Sequence, residues 1–253
     1  MTGVYRLLST VYCVWQESGV QAGFTTRHFP LVLHRTDDLL NKKNHKKFIE
    51  SLSRDQGGPL GRSYRKFVVL NQVHGSSVAV LTDGEQYSKE GFYSVPRCDA
   101  AMTDIPGLTL IVLTADCLSI FFRAGSWVAL AHAGWRGSKK KIARKTLRLL
   151  LEKSGAKKKD VRIVLGPSIG VRHYEVGPEF KDHFPASSLR HTGNCLHFDL
   201  AKENKRQLME SGVPEKNITD TGLCTVAANK DFYSFRQEKE KAGRIISYIT
   251  RWQ

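Results

Sequence analysis

Two apolar runs only four residues apart constrain this chain most: LTLIVLTADCLSIFF (108–122) and WVALAHAG (127–134), with RAGS between them. Both are rich in aliphatic and aromatic residues and neither alternates with polar ones. They read as strands buried on both faces, joined as a hairpin. The following stretch, GWRGSKKKIARKTLRLLLEKSG, switches to a helical period. Ile142, Thr146, Leu149 and Leu150 share one face; Lys140, Lys141, Arg144, Lys145 and Arg148 crowd the other, and Gly155 is placed to end the helix. Strands without a wet face need cover on both sides, so sheets stacked between helices are expected.

The rest of the chain adds more strands than helices. GVQAGFTTR (19–27) reads as an extended edge leading into a loop. Residues 28–63 are polar, basic and unassigned, and include the turn-rich DQGGPLGRS (55–63). FVVLNQVHG (67–75) and SSVAVL (76–81) read as strands and 82–97 as a loop. VRIVLGPSIG (161–170) is a strand and turn, GPEFKDHF (177–184) a short helix, HFDL (197–200) a strand and AKENKRQLMESG (201–212) a helix. TGLCTV (221–226) and GRIISYITRW (243–252) are late strand candidates. The pattern predicts an α+β fold, and 253 residues fit one large domain or two small ones.

Net charge is +15, which raises nucleic acid as a partner. Between Arg136 and Arg162 stand twelve Lys/Arg against Glu152 and Asp160, and NKKNHKK (41–47) is a second basic stretch. No zinc finger, RRM aromatic signature or basic heptad region accompanies them, so solvated lysine faces are expected and nucleic acid is argued against. No apolar stretch reaches the roughly 18 residues of a membrane helix. The five cysteines, Cys13, Cys98, Cys117, Cys195 and Cys224, are odd in number and widely spaced, with no C-x-x-C pair. That opposes a disulfide framework and favours a reducing, cytoplasmic setting. LLSTVYCVW near the start loosely imitates a secretory leader, but its apolar part is short and interrupted by Ser, Thr and Tyr.

Cys117 and His132 each stand at the end of an apolar run. A three-residue turn would break the pairing, but a turn at Ala124–Gly125 would place them directly opposite one another, and a turn at Gly125–Ser126 would make them diagonal neighbours on the same face. Either spacing lets one metal bridge them. His74, ending an earlier run, is a candidate third ligand that spacing alone does not place. Taken singly, a buried cysteine is an inert small hydrophobe and a strand histidine a core residue; the pairing is what raises a metal site to an equal reading.

NQVHG, LTADC and HAGWRG, in that order, resemble the laccase-domain proteins, also called the YfiH-like or YlmD-like polyphenol oxidase family. GFTTR is similar to that family's GFSTR, CDAAMTD to its ADA-x-VT strand, and VLGPSIGVRHYEVGPEF to its LGPxI…YEVG segment. HFDL, the late CT and SFRQ…GRIISYI also fall where the family has FDL, CT and SxRR…GR, so the resemblance runs from about Gly19 to the C-terminus. Two departures stand out: HFPLVLHR follows GFTTR where the family has a Gly-Gly loop, and Gln237 stands where an arginine is usual. Neither touches the three metal candidates. The resemblance implies one metal, generally zinc, on His74, Cys117 and His132. It also implies a single domain over residues 1–253, built as a four-layer α/β/β/α sandwich of mixed sheets, similar to the catalytic domain of cytotoxic necrotizing factor.

The family's older label implies a copper polyphenol oxidase, and His₂Cys does suit copper. A multicopper oxidase, however, needs several His-x-His pairs, and none occurs among the nine histidines; Met102 and Met209 have no special claim as axial ligands. The newer reading is phosphorolysis of adenosine, inosine and methylthioadenosine, with deamination of adenosine. A three-ligand zinc with an open position suits it. Purine nucleoside and phosphate are then the partners, with Arg27, Arg136 and Arg236 as candidate phosphate contacts and Asp116, which strand alternation points away from Cys117, as a lesser candidate beside the metal. Without a metal, Cys117 and His132 would form a hydrolase-like thiolate–imidazole pair. A monomer is expected.

Overall fold

The computed structural model describes residues 6–8, 10–17, 19–55, 66–82 and 84–252. Seven strands lie side by side in the order β1 (Arg6–Leu8), β2 (Val11–Glu17), β3 (Val20–Thr25), β16 (Ile245–Arg251), β8 (Leu108–Thr114), β4 (Lys66–Leu70) and β6 (Gly91–Val95). A six-stranded sheet follows the order β15 (Ile218–Asp220), β11 (Arg162–Leu165), β9 (Leu118–Ala124), β10 (Trp127–Ala133), β7 (Ala100–Thr103) and β5 (Val78–Leu81). β12 (Glu175–Val176), β14 (Cys195–Phe198) and β13 (Leu189–Thr192) form a small third sheet, ordered β12-β14-β13. The two large sheets are mixed: β8 runs antiparallel to β16 and parallel to β4, and β7 antiparallel to β10 and parallel to β5.

The absence of alternation in the long runs has a direct cause. Successive side chains of a strand point to opposite faces, and here both faces are covered. Leu110 and Val112 of β8 join Phe24 and Val68 in a cluster that also holds Phe121, Val128 and Leu130 of the six-stranded sheet. Ile111 and Leu113 of the same strand point the other way, with Phe67 and Tyr248, against Leu39 of α1 (Thr36–Leu39) and Phe48 and Leu52 of α2 (Lys42–Asp55). The far face of the six-stranded sheet, with Ile120, Phe122 and Ala129, packs on Ala143, Leu147 and Leu150 of α4 (Ile142–Ser154) and Leu208 of α5 (Leu200–Glu210).

The first apolar run is not one strand. β8 ends at Thr114, the chain bends through Ala115–Cys117, and β9 begins at Leu118 in the other sheet. Cys117 therefore sits where the chain crosses between sheets, a position hydropathy cannot mark because both halves are equally apolar.

Several elements differ from the expectation. Residues 19–27, read as an edge, contain the interior strand β3, paired with both β2 and β16. Residues 82–97, read as a loop, contain β6, which pairs parallel with β4. TGLCTV forms only an isolated bridge between Ser168 and Cys224. GPEFKDHF is held to a 3-10 turn at Pro178–Asp182. The unassigned 28–63 hold α1 and α2, whose apolar signal is confined to a few positions such as Phe48 and Leu52 in a run of charged residues. In α4, Leu147 is buried and Leu149 only half-buried. DQGGPLGRS beyond Asp55 lies outside the described residues, and LLSTVYCVW contributes to β1 and β2. Among the described residues no helix is long and apolar enough to cross a membrane.

Candidate metal centre

The β9–β10 register settles the hairpin. Ala124 pairs with Trp127 and Ser119 with His132, so the turn is Gly125–Ser126. Gly125 carries the positive φ of 57° that glycine accommodates without strain. His132 is thus two residues from a direct pairing with Cys117, and the two are diagonal neighbours on one face. The residue facing Cys117 is Gly134, just past the end of β10. A Cβ there would stand 2.8 Å from Cys117 Sγ and 3.3 Å from a carbon of the His74 ring, so the missing side chain is the space the thiol occupies. Gly134→Ala should weaken metal binding at least tenfold by displacing the sulfur, while leaving the fold intact by circular dichroism. Unchanged affinity in a zinc titration would show that the thiol is not a ligand.

His74 comes from the loop after β4. Three interactions bring it in. Asn71 N–H bonds to Val95 O at 2.9 Å. The Gln72 amide donates to Leu113 O and accepts from Leu113 N–H, both at 2.8 Å, as if β4 continued. Then the backbone N–H groups of Val73, His74 and Gly75 all donate to the Asp99 carboxylate, at 3.3, 2.9 and 2.7 Å. His74 itself takes φ 56°. Asp99, fully buried, also accepts from His132 Nδ1 at 2.9 Å, and its carbonyl accepts from His132 N–H at 2.7 Å. A carboxylate can only accept, so the Nδ1 proton is fixed and Nε2 is left as the nitrogen that can bind. One carboxylate therefore sets both histidines. CDAAMTD pointed to this strand, but nothing in the sequence singled out Asp99.

One candidate donor atom from each of His74, Cys117 and His132 lies within 4.8 Å of the others, with His132 buried, Cys117 half-buried and His74 exposed. Small side-chain adjustments would bring all three to the roughly 2.0–2.3 Å of a zinc ligand. Among the described residues this is the one such cluster. The electrostatics suit a cation. Burial pushes the Cys117 thiol up, but the charge and hydrogen bond of His132, and then His74, outweigh it and hold the thiol down at about 6. Burial pushes His132 down, yet Cys117 and Asp99 raise it to about 9. Burial likewise raises the Asp99 carboxyl, but the bonds from His132 and the 73–75 backbone hold it below the usual carboxylate range. The thiol is thus a ready thiolate, and a metal would take the place of a proton on His132.

The three side chains line a cleft of about 610 Å³. Of the candidate phosphate contacts, Arg236 is in it: its guanidinium lies over the Tyr174 ring at 5.5 Å and donates to Glu175 O at 2.9 Å. Arg27 and Arg136 are not among the lining residues. Arg27 is bound to Glu238 at 2.6 Å and to Asn229 O at 2.7 Å, and Arg136 stacks on the Trp135 ring at 4.6 Å. The cleft instead gains Arg35, Lys239 and Arg244, of which only Arg244 fell in a quoted family motif. Asp116 does line it. The alternation argument does not apply there because the strand has already ended, and Asp116 takes φ 86°. Its carboxylate accepts from Thr225 Oγ1 and from Arg236 N–H, both at 2.6 Å, tying the sheet-crossing bend to the α6 (Phe235–Glu238) segment. Gln237, in the same helix, is exposed.

Fold and site together define a mixed α+β protein with a His–Cys–His group able to hold a metal, set where the chain passes between sheets and open to a cation-lined cleft. The chain belongs to the family described as multi-copper polyphenol oxidoreductase laccase, which it matches over residues 18–252. It is 35% identical over 193 residues to purine nucleoside phosphorylase YfiH of Escherichia coli (strain K12), covering 73% of each chain. It is 30% identical over 256 residues to purine nucleoside phosphorylase YlmD of Geobacillus stearothermophilus, covering 92% of this chain and 91% of that one. The crystal structure of YlmD from Geobacillus stearothermophilus superposes with a TM-score of 0.84 at 26% identity, over 99% of this chain and 100% of that one.

Proposed function

We propose that this chain is a zinc-dependent purine nucleoside phosphorylase acting on adenosine, inosine and methylthioadenosine, with adenosine deamination as a side activity. The observation that carries the reading is the His74–Cys117–His132 cluster lining a cleft that also holds Arg236, Arg244, Arg35 and Lys239, in a chain whose relatives include proteins named purine nucleoside phosphorylase. The three apolar clusters support the α/β/β/α layering expected for it, and five free cysteines support a reducing compartment.

In phosphorolysis an oxygen of phosphate bonds to the ribose anomeric carbon as the bond to the purine nitrogen breaks, and the base leaves with the electron pair. The entering phosphate is an anion, and arginine matches it in a bidentate fork. Arg236 and Arg244 are the arginines assigned to it, with Lys239 and Arg35 adding charge. Asp116 orients the Arg236 backbone and Tyr174 supports its guanidinium. His74, Cys117 and His132 would hold zinc, which supplies a Lewis acid for polarising a substrate atom or activating water.

The test is incubation of metal-replete protein with each nucleoside, with and without phosphate, and chromatography of the products. Free purine with ribose 1-phosphate (methylthioribose 1-phosphate from methylthioadenosine), formed only when phosphate is present, is the expected result; inosine or hypoxanthine from adenosine reports deamination. Absence of turnover with every purine nucleoside tested would overturn the reading.

A further inference from the structure

The cleft carries more positive charge than one phosphate calls for, and the surplus is gathered in one place. His34 Nδ1 donates to Ala242 O at 3.2 Å, and the Arg244 guanidinium donates to that same carbonyl at 2.7 Å and to Gly243 O at 3.1 Å. Ala242 N–H in turn bonds to Lys239 O at 3.1 Å. Arg35 follows His34, and the backbone N–H groups of both are fixed on the Asp38 carboxylate, at 2.9 and 2.7 Å. His34, Arg35, Lys239 and Arg244 thus surround one short stretch of chain, and all four line the cleft. Arg236 is anchored elsewhere, over Tyr174 and on Glu175 O. Arg35, Lys239 and Arg244 form no ion pair among the described residues. The one acid lining the cleft, Asp116, is already taken by Thr225 and the Arg236 backbone. Asp38 and Glu240 also act on Arg244, but neither lines the cleft.

We propose that the cleft takes purine nucleoside 5′-monophosphates, with Arg35 and Lys239, beside His34, holding the 5′-phosphate beyond Arg244. The inference rests on the phosphorolysis reading and extends its substrate. A nucleoside is neutral, so phosphorolysis brings a single phosphate into the cleft, and Arg236 with Arg244 matches it. Arg35 and Lys239 then remain as two further cations. A phosphate monoester, at about −1.5 to −2 near neutral pH, uses both; a carboxylate would use one and a nucleoside neither. The placement fits as well. Arg244 interacts with Cys117 and Asp116 toward the metal ligands and with Asp38 and Glu240 toward the basic group. It therefore lies between the two, as ribose lies between the glycosidic bond and the 5′ carbon. A cleft of about 610 Å³ falls within the roughly 300–1,000 Å³ of sites for ligands of this size. His34 and Arg35 belong to HFPLVLHR, so the added charge enters where this chain departs from the family's Gly-Gly loop. In the reaction an oxygen of hydrogenphosphate bonds to the anomeric carbon and the bond to the purine nitrogen breaks. The base leaves with the electron pair and ends with the proton that hydrogenphosphate carried. The products are free purine and ribose 1,5-bisphosphate.

The test gives the metal-replete full chain inosine 5′-monophosphate or inosine, each with and without phosphate, and resolves both the base and the sugar product. Hypoxanthine with ribose 1,5-bisphosphate should form from the monophosphate only when phosphate is present. Its kcat/KM should exceed that of inosine by about tenfold or more, chiefly through KM, because the 5′-phosphate is remote from the bond that breaks. Arg35→Gln/Lys239→Gln keeps the side-chain bulk and removes both charges. It should lower the ratio of the two kcat/KM values by about tenfold or more. The ratio is its own control, since a misfolded fraction lowers both values alike. Cleavage of inosine but not of the monophosphate, or equal losses for both substrates in the variant, would overturn the inference and leave the phosphorylase reading standing. Inosine appearing from the monophosphate ahead of hypoxanthine would also overturn it, because the 5′-phosphate would then be removed rather than held. Cleavage of neither substrate would overturn both readings together.

Discussion

A Cys117→Ala variant should leave purification without zinc and without measurable nucleoside cleavage. The side chain is the single sulfur donor of the cluster, and its thiol is held at about 6 by His132 and His74 against the opposing effect of burial, so it enters the site already ionised near neutral pH. Losing one of three protein ligands removes the strongest negative donor. A fall in kcat/KM of about thousandfold or more, equivalent to about 4 kcal/mol of transition-state stabilisation, is the expected scale. Cys117→Ser should not rescue it, because a hydroxyl keeps its proton where a thiol gives it up. The measurement is zinc by mass spectrometry alongside turnover. Two results would contradict the reading. A Cys117→Ala protein that retains one zinc would show that the metal sits elsewhere. Native protein stripped by a chelator and fully active would make Cys117 a nucleophile beside His132 instead, since a thiolate–imidazolium pair is what the metal-free geometry provides.

The ligand candidates were legible because each closes a short apolar run, a local property. Either two-residue turn kept Cys117 and His132 on one face and a three-residue turn would not have; the structure takes the Gly125–Ser126 alternative, with Gly134 as the residue opposite the thiol. Periodicity could not show that β8 and β9 belong to different sheets, since Leu113 and Leu118 are both buried on either side of the bend. Nor could it show β6, whose partner β4 lies more than twenty residues upstream. The substrate-contact residues were least legible. An arginine's sequence neighbours do not reveal what neutralises it: Arg27 is bound to Glu238, 211 positions away, while Arg244, just before β16, reaches the cleft although its motif carried no role for it. Asp99 escaped notice for a related reason. Most of its partners are backbone N–H groups, which leave no trace in residue identity.

Asp99→Asn should destabilise the fold and weaken the site without touching the metal. In the native chain Oδ1 accepts from His74 N–H and His132 Nδ1–H, and Oδ2 from Val73 and Gly75 N–H. Whichever oxygen becomes the amide nitrogen, its two hydrogens face two donors, and those donors, part-buried against Asp99, lose their acceptor. Each unsatisfied group costs about 1–3 kcal/mol. A loss near 3 kcal/mol would lower Tm by roughly 6–12 °C in a chain of this size. Zinc affinity should fall a further 10- to 100-fold, because the His74 loop loosens and the His132 tautomer is no longer fixed. Asp99→Ala should be worse, about 3–5 kcal/mol, since it removes the acceptor of all four donors at once and leaves Cys117 as the one remaining charge beside His132. Thermal unfolding of the metal-stripped protein isolates the first effect and zinc titration of the folded protein the second. If Asp99→Asn left both unchanged, the two histidines would owe their placement to something other than this carboxylate, and the cluster would be a consequence of core packing rather than a prepared metal site.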